Sequence, residues 1–310
     1  MTVVVGSGKR TAVHLWKYLH RFPATTSVSG LSPGCRQLSS LEPEKNKRLD
    51  GKVAIITGAA GGIGAEASRH FAAHGAQVIM ADVTDGIGEK KASEIGSNAL
   101  YRHCDVTKEE DVASTVDFAV EKFGKLDIMF NNAGVITPVE FLETFDIDSY
   151  DGYNAIMVRG VLAGIKHAAR VMIPEKQGVI LNTASVAAEL TSGNFPLAYN
   201  ICKSNLPGIT KIAAYHLGKH GIRVNAISPH AIPTPLVLEW LNREGKTAIT
   251  WEELEGAFIK ASTIAGKRTT EQDVAKGALF LCSEDSGYIS GQNLVVDGGW
   301  CSSKDYKILP

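Results

Sequence analysis

The chain has 310 residues, 44% of them hydrophobic and 21% charged, with a formal net charge of −1. That is enough apolar material for a large core, it offers nucleic acid no basic surface overall, and no apolar run reaches the ~18 residues of a membrane-spanning helix. The five cysteines, at 35, 104, 202, 282 and 301, are odd in number and include no closely spaced zinc-type pair, so free thiols in a reducing compartment are expected.

Residues 1–41 differ from the rest: no Asp or Glu, five Lys or Arg, and ten Ser or Thr. On a helix, Ala12, Val13, Leu15, Trp16 and Leu19 share one face, and Arg10, His14, Lys17 and Arg21 take the other. A basic, hydroxyl-rich, acid-free amphipathic segment reads as an organelle transit peptide, mitochondrial before plastid, or as a disordered tail on a cytoplasmic protein. Without it, 27 basic residues face 33 acidic ones.

From Arg48 a rhythm begins. Short apolar runs predict strands at 52–58, 76–82, 99–106, 126–134, 178–185, 222–229 and 293–299, with helix-like stretches between most of them. Alternation of this kind implies an α/β fold: one Rossmann-type, doubly wound parallel sheet of about seven strands with helices on both faces. The domain spans 48–300, and 301–310 form a C-terminal tail.

The first strand runs into "TGAAGGIG" (57–64), which opens the first helix. Gly58 permits a tight turn, and Gly62 and Gly64 allow a pyrophosphate and a neighbouring strand to come close. Asp82 ends the second strand. A carboxylate there accepts hydrogen bonds from an adenosine ribose and repels a 2′-phosphate. No arginine follows in "ADVTDG", so NAD is favoured over NADP. Further on, "YNICK" (199–203) places Tyr199 and Lys203 four apart. On a helix they share a face, either as an ordinary amphipathic turn or as a phenol beside an ammonium that eases its ionisation. Residues 230–270, with prolines, Trp240 and Trp251, interrupt the rhythm. An insertion after a strand's carboxyl end reads as a substrate lid or a helical hairpin on the core, and Leu236, Leu238, Trp240 and Phe258 are candidates to line a pocket.

The glycine spacing, "CDV" (104–106), "NNAG" (131–134), "NTAS" (182–185), "YNICK", "SPHAIPT" (228–234) and "GQNLVVDGG" (291–299) occur in one order. In that order the chain resembles the short-chain dehydrogenase/reductase family over about 48–300. The resemblance implies hydride transfer between a secondary alcohol carbon and nicotinamide. Tyr199 would be the general base, Ser185 would hold the substrate oxygen, and Lys203 would lower the phenol's pKa and bind the nicotinamide ribose. It also implies cofactor contacts from Gly58, Gly62, Ile63, Gly64, Asp82, Val83, Asp105, Val106, Asn132, Ala133, Gly134, Tyr199, Lys203, Pro229, Ile232 and Thr234, with no metal. Family members are commonly homotetramers.

Two positions depart from the family pattern. "YNAIMVRG" puts Met157 where an asparagine usually helps hold a water, with Asn154 one turn earlier. Met157 cannot replace an amide's hydrogen bonds. His230 stands where many members have glycine. The stretches 158–174, 183–188 and 217–229 are similar to a plant branch that includes secoisolariciresinol dehydrogenase, xanthoxin dehydrogenase and momilactone A synthase. That branch implies NAD-linked oxidation of a ring secondary alcohol in a terpenoid-, steroid- or lignan-like substrate. The alternatives are a ketone reductase of the same class, or a non-redox NAD-binding protein that binds or cyclises a reactive ligand.

Overall fold

The computed structural model describes residues 47–302, apart from 191–195, 235–236, 239–240, 243–247 and the side chain of Ala261. The transit-peptide segment, the tail beyond residue 302, Leu236 and Trp240 lie outside the described residues.

All seven expected strands form: β1 (Val53–Thr57), β2 (Gln77–Asp82), β3 (Ala99–His103), β4 (Ile128–Asn131), β5 (Gly178–Thr183), β6 (Ile222–Pro229) and β7 (Asn293–Val296). They make one sheet in the order β3-β2-β1-β4-β5-β6-β7, and every pairing is parallel. The chain starts in the middle, winds outward through β2 and β3, returns to lay β4 beside β1, and winds the other way. The crossovers diverge between β1 and β4, which opens a crevice at the carboxyl edge there.

Strand alternation divides the core in two. Ala54, Ile56, Val78, Met80, Ile128, Phe130, Leu181 and Ile227 face one layer of helices. That layer holds α1 (Gly62–Ala73) and α2 (Asp85–Ile95), together with the helix at Glu271–Cys282. Val53, Ile55, Ile79, Met129, Ile180, Ile222 and Val224 face the other layer, formed by α3 (Glu109–Phe123), α5 (Gly160–Glu175) and α6 (Leu197–Gly218). Both faces are covered, which is why the strands are apolar runs and do not alternate with polar residues.

The short α4 (Ile147–Asn154) joins α5 through a π turn at Ala155–Arg159, where the Gly160 N–H donates to the Ala155 carbonyl. The extra residue re-aims this segment and points Met157 inward, where it is fully buried. Gly160 follows because a Cβ there would lie 3.0 Å from the Val106 side chain. In the insertion, α7 (Trp251–Ala261) starts with a reciprocal cap between Thr250 and Glu253 and buries Leu254. The helix at Glu271–Cys282, α8, starts with the same device at Thr270 and Asp273.

Candidate active site

The carboxyl edge of the sheet gathers the residues singled out from the sequence. Gly58 (φ +66°) turns the chain after β1, and a Cβ on it would meet Ala133 Cα at 2.8 Å. Gly64 packs onto the Gly58 carbonyl and the Asn132 amide, so its part is close packing. Gly61 and Gly62 have open space where a Cβ would stand. The α1 N-terminus has no side-chain cap and no acid in its first turn. Uncapped N–H groups beside open glycines fit a dinucleotide's pyrophosphate. Ile63 is half-buried behind them.

Asp82 has two tasks. Its Oδ2 accepts the Ala60 N–H at 2.9 Å, fastening the glycine loop, and its Oδ1 accepts the Thr84 N–H at 3.0 Å. Each oxygen retains a second lone pair. Val83 beside it is 55% exposed. Beyond β3, Asp105 turns one oxygen to the Thr107 N–H (3.0 Å) and hydroxyl (2.7 Å) and has Lys108 at 3.4 Å. The Thr107 bond is the main reason its carboxyl lies below the usual range. Val106 packs at Gly160.

A hydrogen-bonded chain then crosses from β1 to the tyrosine helix. Thr57 Oγ1 accepts from the Asn132 and Ala133 N–H groups at 3.0 and 3.1 Å. Thr183 donates its hydroxyl to Asn132 Oδ1 at 3.1 Å, and the Lys203 ammonium donates to the Thr183 carbonyl at 2.7 Å. Lys203 is 4% exposed, and burial pushes its pKa down from 10.5 to about 8. A carbon added to Gly134 would lie 3.5 Å from Lys203 Nζ and 3.9 Å from Met157 Cγ. Met157 therefore belongs to the apolar wall of the lysine's chamber.

Tyr199 sits one turn before Lys203, whose Nζ is 5.7 Å from the phenol ring's centroid. Burial raises the phenol's pKa, and the neighbouring Ser185 hydroxyl opposes the rise. Ser185 Oγ accepts the Ala187 N–H at 3.1 Å, capping the 3₁₀ turn Val186–Ala188. That bond fixes its oxygen and leaves its hydroxyl proton for an oxygen in the crevice. Asn200 on α6 holds the same turn, donating to the Ala187 carbonyl at 2.6 Å.

Pro229 is buried at the end of β6 and Ile232 just beyond it, and Thr234 Oγ1 accepts the Val237 N–H at 3.2 Å. The His230 N–H donates to the Val296 carbonyl at 3.0 Å. Its ring stands 4.9 Å from that of Trp300 and 6.5 Å from that of Phe258 on α7. Burial lowers the imidazole's pKa. Leu238 and Phe258 are half-buried. The Thr183 carbonyl, Asn200 and Trp300 were not legible as site residues, because each acts through a partner far away in sequence.

Among the described residues, no group of three or more His, Cys, Asp or Glu side chains is placed to hold a metal ion. None of their helices is long and apolar enough to cross a membrane.

A family model described as enoyl-(acyl carrier protein) reductase matches residues 58–301. The (+)-borneol dehydrogenase 2 of Salvia officinalis is 44% identical over 83% of this chain and 91% of its own length. Momilactone A synthase of Oryza sativa subsp. japonica is 44% identical over 82% and 91%. The mitochondrial borneol dehydrogenase of Lavandula x intermedia is 43% identical over 82% and 92%. The crystal structure of levodione reductase superposes with a TM-score of 0.75 at 29% identity, covering 83% of this chain and all of that one.

Proposed function

The chain belongs to the plant branch of the short-chain dehydrogenase/reductase family and is an oxidoreductase. From that premise we propose that it oxidises a secondary alcohol on a hydrophobic cyclic, terpenoid-like substrate to the ketone, with NAD. The observation that carries the reading is the buried ammonium of Lys203 one turn after Tyr199, its Nζ 5.7 Å from the phenol ring's centroid. The relatives named for borneol and momilactone A support the substrate class. Asp82 supports NAD, because its carboxylate repels a 2′-phosphate.

Nicotinamide, when bound, supplies the hydride acceptor and a positive charge. Ser185 orients the alcohol oxygen through its hydroxyl proton. Tyr199 takes the alcohol's proton at Oη as general base. With Lys203 near a pKa of about 8, its ammonium is charged at pH 7 and favours the phenolate. Bringing a phenol from about 10 to 7 requires about 4 kcal/mol of differential stabilisation, and here burial adds to that requirement. The raised phenol is itself the form that donates a proton to a ketone. The second reading is reduction of the same substrate class.

The test is NADH formation by residues 42–310 with cyclic terpenoid, steroid and lignan alcohols, with NADP and the matching ketones in parallel. NAD-linked turnover that falls at least a hundredfold in Tyr199→Phe is the expected result. Faster turnover with NADP would overturn the Asp82 argument, and ketone-only turnover would establish the second reading. Residues 1–41 act as a mitochondrial import segment in this proposal. A fluorescent protein fused to them should enter mitochondria, and cytosolic fluorescence would contradict it.

A further inference from the structure

We propose that Thr137 is a positioning residue for the tyrosine base: it caps the tyrosine helix from the loop after β4. The first turn of a helix leaves backbone N–H groups without partners, and an N-cap side chain normally accepts one from the second or third helical residue. Helix α6 has Pro196 at its N-cap, which has no acceptor in its side chain. Its first intrahelical bond runs from the Asn200 N–H to the Pro196 carbonyl at 2.9 Å. Tyr199 is the third helical residue, and its N–H donates to Thr137 Oγ1 at 3.3 Å.

The partner lies 62 positions earlier in the chain. Thr137 is fully buried. Its loop leaves β4 at Asn132, which is itself tied to Thr57 and Thr183. The cap therefore references the backbone of Tyr199 to the same strand ends that carry the glycine loop and the lysine's carbonyl. The phenol stands at the first turn of its helix, where an uncapped end frays most readily. A displacement of about 1 Å at a reacting group lowers rates by as much as a hundredfold.

This inference rests on Tyr199 being the base, so its test has one readout that does not depend on turnover. Thr137→Val keeps the volume and removes the acceptor, and Thr137→Ser restores it. In Thr137→Val, amide hydrogen exchange at Tyr199 should be roughly tenfold faster, as expected for one lost capping bond. Its kcat should fall about tenfold with KM for NAD within about twofold, and Thr137→Ser should recover both exchange and kcat. Unchanged exchange in Thr137→Val overturns the cap. Faster exchange with unchanged kcat, or a serine variant that behaves like valine, overturns the positioning role. Should Tyr199→Phe retain turnover, the tyrosine-base reading falls instead, while the exchange result still decides the cap.

Discussion

Lys203 shows how a buried cation opposes the fold that holds it. Its folded pKa of about 8 lies below the ordinary 10.5 because burial disfavours the charge. The gap corresponds to about 3 kcal/mol of destabilisation at pH 7, partly offset by the bond to the Thr183 carbonyl. Between pH 8 and 10.5 the unfolded chain binds more protons than the folded one, so stability rises with pH across that window. Lys203→Met should unfold at higher urea than wild type at pH 7, by roughly 1–2 kcal/mol, while losing turnover, and the difference should shrink as pH approaches 10. A variant less stable than wild type at pH 7 would mean that the ammonium's bond outweighs its desolvation. The same scale holds His230, whose ring lies beside those of Trp300 and Phe258 and so links the end of β6 to α7. His230→Gly should raise the substrate KM several-fold and leave KM for NAD little changed, as steady-state kinetics would read.

Between elements, polar relays inside the sheet do what apolar packing alone would not. Asn131 donates to Asn182 at 2.9 Å, and Asn182 donates to Thr210 of α6 at 3.0 Å, all three essentially buried. Helix α5 approaches so closely that a Cβ on Gly164 would collide with Asn131 Oδ1. Gly164→Ala should therefore cost about 2–4 kcal/mol in a urea titration, well beyond the change usual for alanine on an exposed helix face. The strands and the glycine loop were legible because their signals are local: a run of β-branched residues, a turn, a helix start. The π turn was not, since "AIMVR" carries no glycine or proline to mark it. Nor were the Thr137 cap and the Thr183 carbonyl, because a backbone partner 20 or 62 residues away leaves no spacing to read. The sequence assigned Gly62 and Gly64 a shared part. Only the geometry separates them, one open to a ligand and the other packed against its neighbours.

For the whole molecule, the outer faces of α5 and α6 expose Leu162, Ile212 and Tyr215. A homotetramer closed across these helices is the assembly proposed here, in keeping with symmetric closure as the usual route to oligomers. Ile212→Glu should then lower the mass seen by light scattering, while a monomeric wild type would rule the assembly out. The parallel sheet has another consequence, on the ribosome. Among the described residues no two strands are joined by a hairpin, and β1 waits for β4 as its second partner, as β6 waits for β7. Such distant pairings are slow to close. A nascent chain that already displays Tyr199 and Lys203 still lacks β7. The complete sheet thus closes only near the end of synthesis, when β7 emerges to pair with β6.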